Sequence, residues 1–177
     1  AAFLQGGRVM AIVPKTYLPN YGEFYEKRWF SARKYDAVMV NLMNPEDDGD
    51  ELEYNAGSKK AGDRAVGSEV LFGNNVMIEM GSGDQRVKLG IEICEDAWTP
   101  VSPGRLLAMA GAEVILNLSA SNEVIGKAAY RHKLIGSVSS DCLCGYVYVS
   151  AGMYESTSDL VFSGHNLMYE NGKLLGE

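Results

Sequence analysis

Val87-Lys88-Leu89-Gly90-Ile91-Glu92-Ile93 runs directly into Cys94-Glu95-Asp96-Ala97-Trp98, and the change of pattern between the two halves decides the fold. Val87, Leu89, Ile91 and Ile93 fall on one face, with Lys88, Gly90 and Glu92 on the other, the period of a half-buried strand. At Cys94 the alternation stops, and Thr99-Pro100 and Ser102-Pro103 break the chain. A thiol therefore stands where a strand gives way to a loop, a common position for catalytic groups. The plainer reading is a buried cysteine acting as a small hydrophobe. A thiolate at Cys94 would sit among Glu92, Glu95 and Asp96, like charges that disfavour it. A reactive Cys94 thus requires a cation or a general base from elsewhere in the chain.

Working outward, the elements alternate. Ser102-Pro103 supplies an N-cap and first helical residue, and a helix runs on to Gly111. Glu113 to Asn117 reads as a buried strand, Lys127 to about Ser140 as a helix with Tyr130, Leu134, Ile135 and Val138 at helical spacing, and Tyr146 to Val149 as the next strand. Strand–helix–strand–helix–strand implies an α/β sheet. Upstream, Leu71-Phe72, Val76 to Met80 and Gln85 to Ile93 read as strands, and Val38 to Leu42 is a short apolar stretch. Both ends carry hairpin signals: Ala1 to Leu4 through Gly6-Gly7 into Arg8 to Val13, and His165 to Glu170 through Asn171-Gly172 into Lys173 to Leu175. Gly81-Ser82-Gly83 opens no helix and is a turn rather than a phosphate loop. The acidic run Asn44 to Glu51 lacks calcium-loop spacing and reads as a solvated loop.

Composition narrows the function. The chain has 177 residues, enough for one domain, with 46% hydrophobic and 22% charged residues. A net charge of -7 and pI of about 4.9 argue against a nucleic-acid or anionic-membrane partner. No apolar run reaches the length of a membrane span. The 3 cysteines, without framework spacing, point to a reducing, cytoplasmic compartment. Cys142, Cys144, His132 and His165 form no metal-ligand pattern, so no metal is expected.

The cation that Cys94 needs has a candidate in Lys15. Val13-Pro14-Lys15 ends the first hairpin as Ile93-Cys94 ends its strand. The segment that follows, Thr16 to Phe30, is dense in aromatic and charged residues and poor in periodicity, as suits a loop lining a pocket.

Five blocks together resemble a known family. They are Val13-Pro14-Lys15 with Tyr17-Leu18-Pro19-Asn20-Tyr21 and Glu23-Phe24-Tyr25-Glu26; Gly90 to Asp96; Asn117-Leu118-Ser119-Ala120-Ser121; Glu155-Ser156-Thr157 with Asp159; and Gly164-His165. The pattern is similar to the glutaminase domain of glutamine-dependent NAD+ synthetases, within the nitrilase or carbon–nitrogen hydrolase superfamily. The resemblance implies a nitrilase-like α-β-β-α sandwich and a Glu-Lys-Cys triad. Cys94 matches the nucleophile, Lys15 the lysine, and Glu23 the second, positioning glutamate. Tyr21, Glu95, Trp98, Ser121 and Lys127 match positions near the bound glutamine; Ser121 reads equally as the N-cap of the next helix, and Tyr21 as packing. The family's general-base glutamate lies upstream of the lysine, and no acidic residue precedes Lys15 here. Together with an opening in mid-strand, this leads us to expect a piece of a longer chain, 1–177 being a glutaminase domain without its first strands.

The function so implied is glutamine hydrolysis through a Cys94 thioester, with ammonia passed to a synthetase domain of the same polypeptide. That domain carries a Ser-Gly-Gly-x-Asp-Ser loop and uses ATP with Mg2+; no such loop occurs here, so no cofactor is expected in this chain. Isolated, the chain is expected to self-associate and to be inactive. Two alternatives stand beside this: another nitrilase-type amidase or carbamoylase, and a non-enzymatic truncated module.

Overall fold

The structure, a computed structural model, describes residues 1–32, 37–41 and 69–177. The acidic run 44–51 and the end of the apolar stretch at Leu42 lie outside them. Ten strands and two α-helices occur among the described residues: β1 (Ala2–Gln5), β2 (Arg8–Ile12), β3 (Val38–Asn41), β4 (Glu69–Phe72), β5 (Met77–Ser82), β6 (Gln85–Ile93), α1 (Pro103–Met109), β7 (Val114–Ser119), α2 (Lys127–Cys142), β8 (Gly145–Ser150), β9 (Leu167–Glu170) and β10 (Lys173–Gly176).

The strands form two sheets. One has the order β1-β2-β4-β3, and the other β10-β9-β8-β7-β6-β5. In the larger sheet β6, β7 and β8 run parallel, with Ile91 opposite Leu116 and Leu116 opposite Val147. The flanking strands are antiparallel, joined by hairpins at both edges. The last hairpin turns at Asn171 and Gly172, with φ of 48° and 80°, the positive-φ pair that makes Asn-Gly favourable.

Two cores follow from the pleat. Ala11, Val13, Val76, Ile78 and Ile91 form one, with Leu89 and Leu116 packed on it, so one face of the larger sheet meets the smaller sheet. Leu107, Ile135 and Val138 of the helices form the other with Ile115, Tyr146, Tyr148 and Leu167. The parallel centre is therefore covered on both faces, as parallel sheets generally are.

This corrects the half-buried reading of β6: Gly90 and Glu92 are buried as well as Ile91. The reason is α1. Its N-cap Ser102 accepts a hydrogen bond from the Arg105 amide at 3.1 Å, and its first turn lies on β6. The Gly104 amide donates to Glu92 Oε2 at 2.7 Å, and the Tyr146 hydroxyl donates to the other carboxylate oxygen. A Cβ on Gly104 would come within 2.7 Å of that carboxylate, and one on Gly90 within 2.8 Å of Ile115. Small residues and a buried, hydrogen-bonded carboxylate let helix and sheet approach. Among the described residues, no helix is long and apolar enough to cross a membrane.

Candidate active site

The carboxyl ends of β6 and β7 lie side by side because the strands are parallel, the usual place for a site in an open α/β sheet. Cys94 follows β6 directly and opens a 3-10 turn over Cys94–Trp98. Its φ is 49°, a left-handed conformation uncommon for a residue with a Cβ. Strain of this kind costs on the order of 1–3 kcal/mol and gathers at functional sites.

Asp96 holds the turn. Its carboxylate is 1% exposed and accepts the amides of Ile93 at 3.0 Å, Thr16 at 3.1 Å and Tyr17 at 2.8 Å. The loop carrying Lys15 is thereby pinned to the loop carrying Cys94. Burial pushes the Asp96 carboxyl up to about 6 against the pull of those amides, with the Glu92 charge adding to the rise. Sequence reasoning placed Asp96 only as a nearby charge. A buried carboxylate two residues after a strand end was the signal available for its bracing role.

Lys15 Nζ is bound to both carboxylate oxygens of Glu26, at 2.7 and 2.6 Å. The glutamate that touches Lys15 is thus Glu26, and Glu23 faces elsewhere. Tyr25 precedes a short 3-10 turn, Glu26–Arg28, and that reversal carries Glu26 back to the lysine while Glu23 stays at the cavity. Glu23 accepts from Asn122 Nδ2, and Lys127 Nζ donates to Asn122 Oδ1.

A cavity of about 210 Å³ opens at Cys94, lined by Glu23, Tyr21, Glu95, Trp98, Ser121 and Lys127 together with Pro19 and Phe24. The structure thus brings every proposed site residue to one cavity except Lys15, which is paired with Glu26. Tyr21 donates to both Glu95 oxygens at 2.9 Å; burial, then that carboxylate, push its phenol up to about 12, so it stays a donor. Lys127 Nζ lies 5.5 Å from the Trp98 ring centre and 5.7 Å from that of Phe24, and Trp98 stacks on Tyr130 at 5.4 Å. Burial lowers the Lys127 pKa, with Arg131 adding to the effect and Glu23 opposing it. A cation on aromatic faces and two carboxylates around one cavity suit a small zwitterion.

Ser121 is not a helix cap: α2 begins at Lys127 with Gly126 as its N-cap, and Ser121 is 4% exposed at the cavity wall. Cys144 is core, its thiol pushed up to about 11 by burial, and burial raises Cys142 as well. His132, His165 and Glu177 bring three metal-ligand atoms within 4.8 Å of one another. However, Arg131 can only donate to His165 Nδ1, at 3.0 Å, which leaves the proton on Nε2, facing Glu177 at 3.1 Å.

The chain matches no protein-family model. It is 38% identical over all 177 of its residues to a glutamine-dependent NAD+ synthetase of Mycobacterium tuberculosis and covers 22% of that protein. It is 28% identical over 171 residues to the human glutamine-dependent NAD+ synthetase, covering 21% of it. The chain thus spans about a fifth of the length of the relatives it matches. Among solved structures, a glutamine-dependent NAD+ synthetase from Cytophaga hutchinsonii superposes with a TM-score of 0.65 at 25% identity, over 99% of this chain and 24% of that one. A carbon–nitrogen hydrolase from Helicobacter pylori has the same fold at 14% identity, with a TM-score of 0.59 over 96% of this chain and 48% of its own. The fold is that of the nitrilase, or carbon–nitrogen hydrolase, superfamily. Within it, this chain is homologous along its whole length to part of the glutamine-dependent NAD+ synthetases.

Proposed function

We propose that this chain is the glutamine-hydrolysing part of an NAD+ synthetase, and that Cys94 is its nucleophile. The observation that carries the reading is the position of Cys94: a strained turn at the carboxyl end of β6, opening on a cavity lined by Lys127, Glu23 and Glu95. Such a cavity suits the ammonium and carboxylate groups of an amino acid. Homology to enzymes named for their dependence on glutamine supports the same substrate.

In this reading Cys94 Sγ attacks the side-chain carboxamide carbon of glutamine, and the thiol proton passes to a glutamate contributed by polypeptide outside this chain. Lys15, held in place by Glu26, stabilises the oxyanion that forms. The C–N bond breaks, ammonia leaves with the proton returned by the base, and a thioester remains. Water activated by the same base cleaves the thioester to glutamate. Splitting amide hydrolysis into two steps lowers each barrier. The ammonia then serves a synthetase domain of the same polypeptide, which amidates deamido-NAD+ with ATP and Mg2+.

The test uses the longer polypeptide carrying this chain. Cys94→Ala is expected to abolish glutamine-driven NAD+ synthesis and to leave ammonia-driven synthesis intact. An electrophilic glutamine analogue is expected to label Cys94 and to spare Cys142 and Cys144. Equal labelling of all three thiols in the folded protein, or preferential turnover of nitriles or carbamoyl compounds over glutamine, would overturn the assignment.

A further inference from the structure

Arg131 heads the large side chains that are fully buried among the described residues, at 1% exposure, and no step of the chemistry above uses it. Its guanidinium reaches four residues. Nε lies 3.3 Å from Ser121 Oγ, and the terminal nitrogens bond the Asn122 carbonyl at 2.9 Å, the Ser121 carbonyl at 3.5 Å, the Glu123 carboxylate at 2.8 Å and His165 Nδ1 at 3.0 Å. A guanidinium offers five donors in a planar fork and no acceptor, and here the fork grips three consecutive residues of the loop after β7. Two of them build the cavity: Ser121 lines it, and Asn122 bridges Glu23 and Lys127.

The placement comes from α2. Lys127, Tyr130 and Arg131 share one helical face. Lys127 reaches the Trp98 and Phe24 rings, Tyr130 stacks on Trp98, and Arg131 passes behind the wall. None of Arg131's hydrogen bonds goes to Cys94, Asp96 or Lys15. A buried cation is costly to desolvate, and its best-attested use is to fix one arrangement rather than to add stability.

We propose that Arg131 is a positioning residue for substrate recognition: it clamps Ser121 and Asn122 so that Ser121, Glu23 and Lys127 meet the amino-acid end of the substrate. This rests on the glutamine-hydrolysing reading. Because the clamp shapes the binding wall and leaves the nucleophile and lysine untouched, its loss acts on binding and selectivity before it acts on turnover. His165, accepting from Arg131 at Nδ1, completes the clamp from the segment before β9.

The experiment compares wild type and Arg131→Lys in the full-length polypeptide. Lysine keeps the charge but cannot span the four partners. KM for glutamine is expected to rise roughly tenfold to a hundredfold, with kcat changed by less than about threefold. Selectivity for glutamine over its shorter homologue asparagine is expected to fall. Alkylation of Cys94 by iodoacetamide, which needs no substrate wall, is expected to keep its rate. An unchanged KM and selectivity would overturn the proposal. So would equal losses in kcat, KM and alkylation rate, which mark a merely structural arginine. Should Arg131→Lys fail to fold, His165→Leu removes one contact and should raise KM about threefold, with His165→Gln, which restores a neutral acceptor, returning it toward wild type; no effect from His165→Leu would likewise overturn it. Absence of glutamine turnover in the wild-type protein would instead refute the functional reading and this inference with it.

Discussion

Replacing Asp96 by asparagine should loosen the joint between the Lys15 loop and the Cys94 turn, and the size of the effect can be worked from its bonds. One carboxylate oxygen takes the Thr16 and Tyr17 amides at 3.1 and 2.8 Å, and the other takes the Ile93 amide at 3.0 Å. Asparagine keeps one oxygen. Turned toward Thr16 and Tyr17, it points an NH2 at the Ile93 N–H, donor against donor. One unmet buried donor costs about 1–3 kcal/mol. The two remaining bonds lose charge assistance, but the substitution also removes a buried charge, whose cost is visible in a carboxyl pushed up to about 6; these two effects offset. A net loss of about 2 kcal/mol corresponds to roughly 30-fold faster local opening. Hydrogen exchange followed by mass spectrometry on the full-length polypeptide should show this acceleration in peptides spanning 14–18 and 92–98, with the hairpin 167–176 unchanged. Unchanged exchange in both segments, or faster exchange everywhere, would refute the reasoning.

Further outcomes follow from the same geometry. Because the folded Asp96 value of about 6 lies above the ordinary 3.8, its contribution to stability is complete below pH ~3.8 and is lost as pH rises through ~6; protection of the 92–98 segment in wild type should therefore fall from about pH 4 and level off above about pH 6 to 7, and Asp96→Asn should flatten that slope. Lys15→Arg replaces a compact ammonium bound to Glu26 by a wide fork, and steady-state kinetics should register a fall in kcat on the order of a hundredfold or more, with little change in KM; a near-normal kcat would make Lys15 an ordinary ion-paired lysine. Gly104→Ala sets a methyl 2.7 Å from the Glu92 carboxylate and should cost about 1–3 kcal/mol, read as a lower midpoint of the first calorimetric transition. The isolated 177-residue chain, with Leu4 and Met10 exposed at 63% and 45% and without the proposed base, should self-associate in size-exclusion chromatography and lack glutaminase turnover; a monomeric, active preparation would contradict this.

Much of the fold was legible because its signals are local. Alternation in 87–93, the Ser102-Pro103 cap, helical spacing in 127–140 and the Asn171-Gly172 turn each depend on neighbours within a few residues, and each element stands within two residues of where those signals place it. The cavity lining was legible through the family resemblance, since Cys94, Tyr21, Glu23, Glu95, Trp98, Ser121 and Lys127 all line it. Partner choice was not. The resemblance singled out Glu23 as the positioning glutamate, whereas the structure sets Glu26, at the start of the 3-10 turn after Tyr25, against Lys15. The buried side of β6 was misread because Gly90 and Glu92 look solvent-facing until α1 lies across them.

By itself, then, the sequence determined the period of each strand and helix, the turns, and the set of residues able to do thiol chemistry, because these rest on backbone preference and side-chain identity. Tertiary structure alone decided that Asp96 ties two distant loops, that Arg131 grips the wall behind Ser121, and that Cys94 adopts a left-handed turn. The physical reason is the same in each case. A buried polar group must find its partners wherever packing brings donors and acceptors together: residues 16 and 96 become neighbours only when the two sheets pack, and 131 and 165 only when α2 lies on the larger sheet.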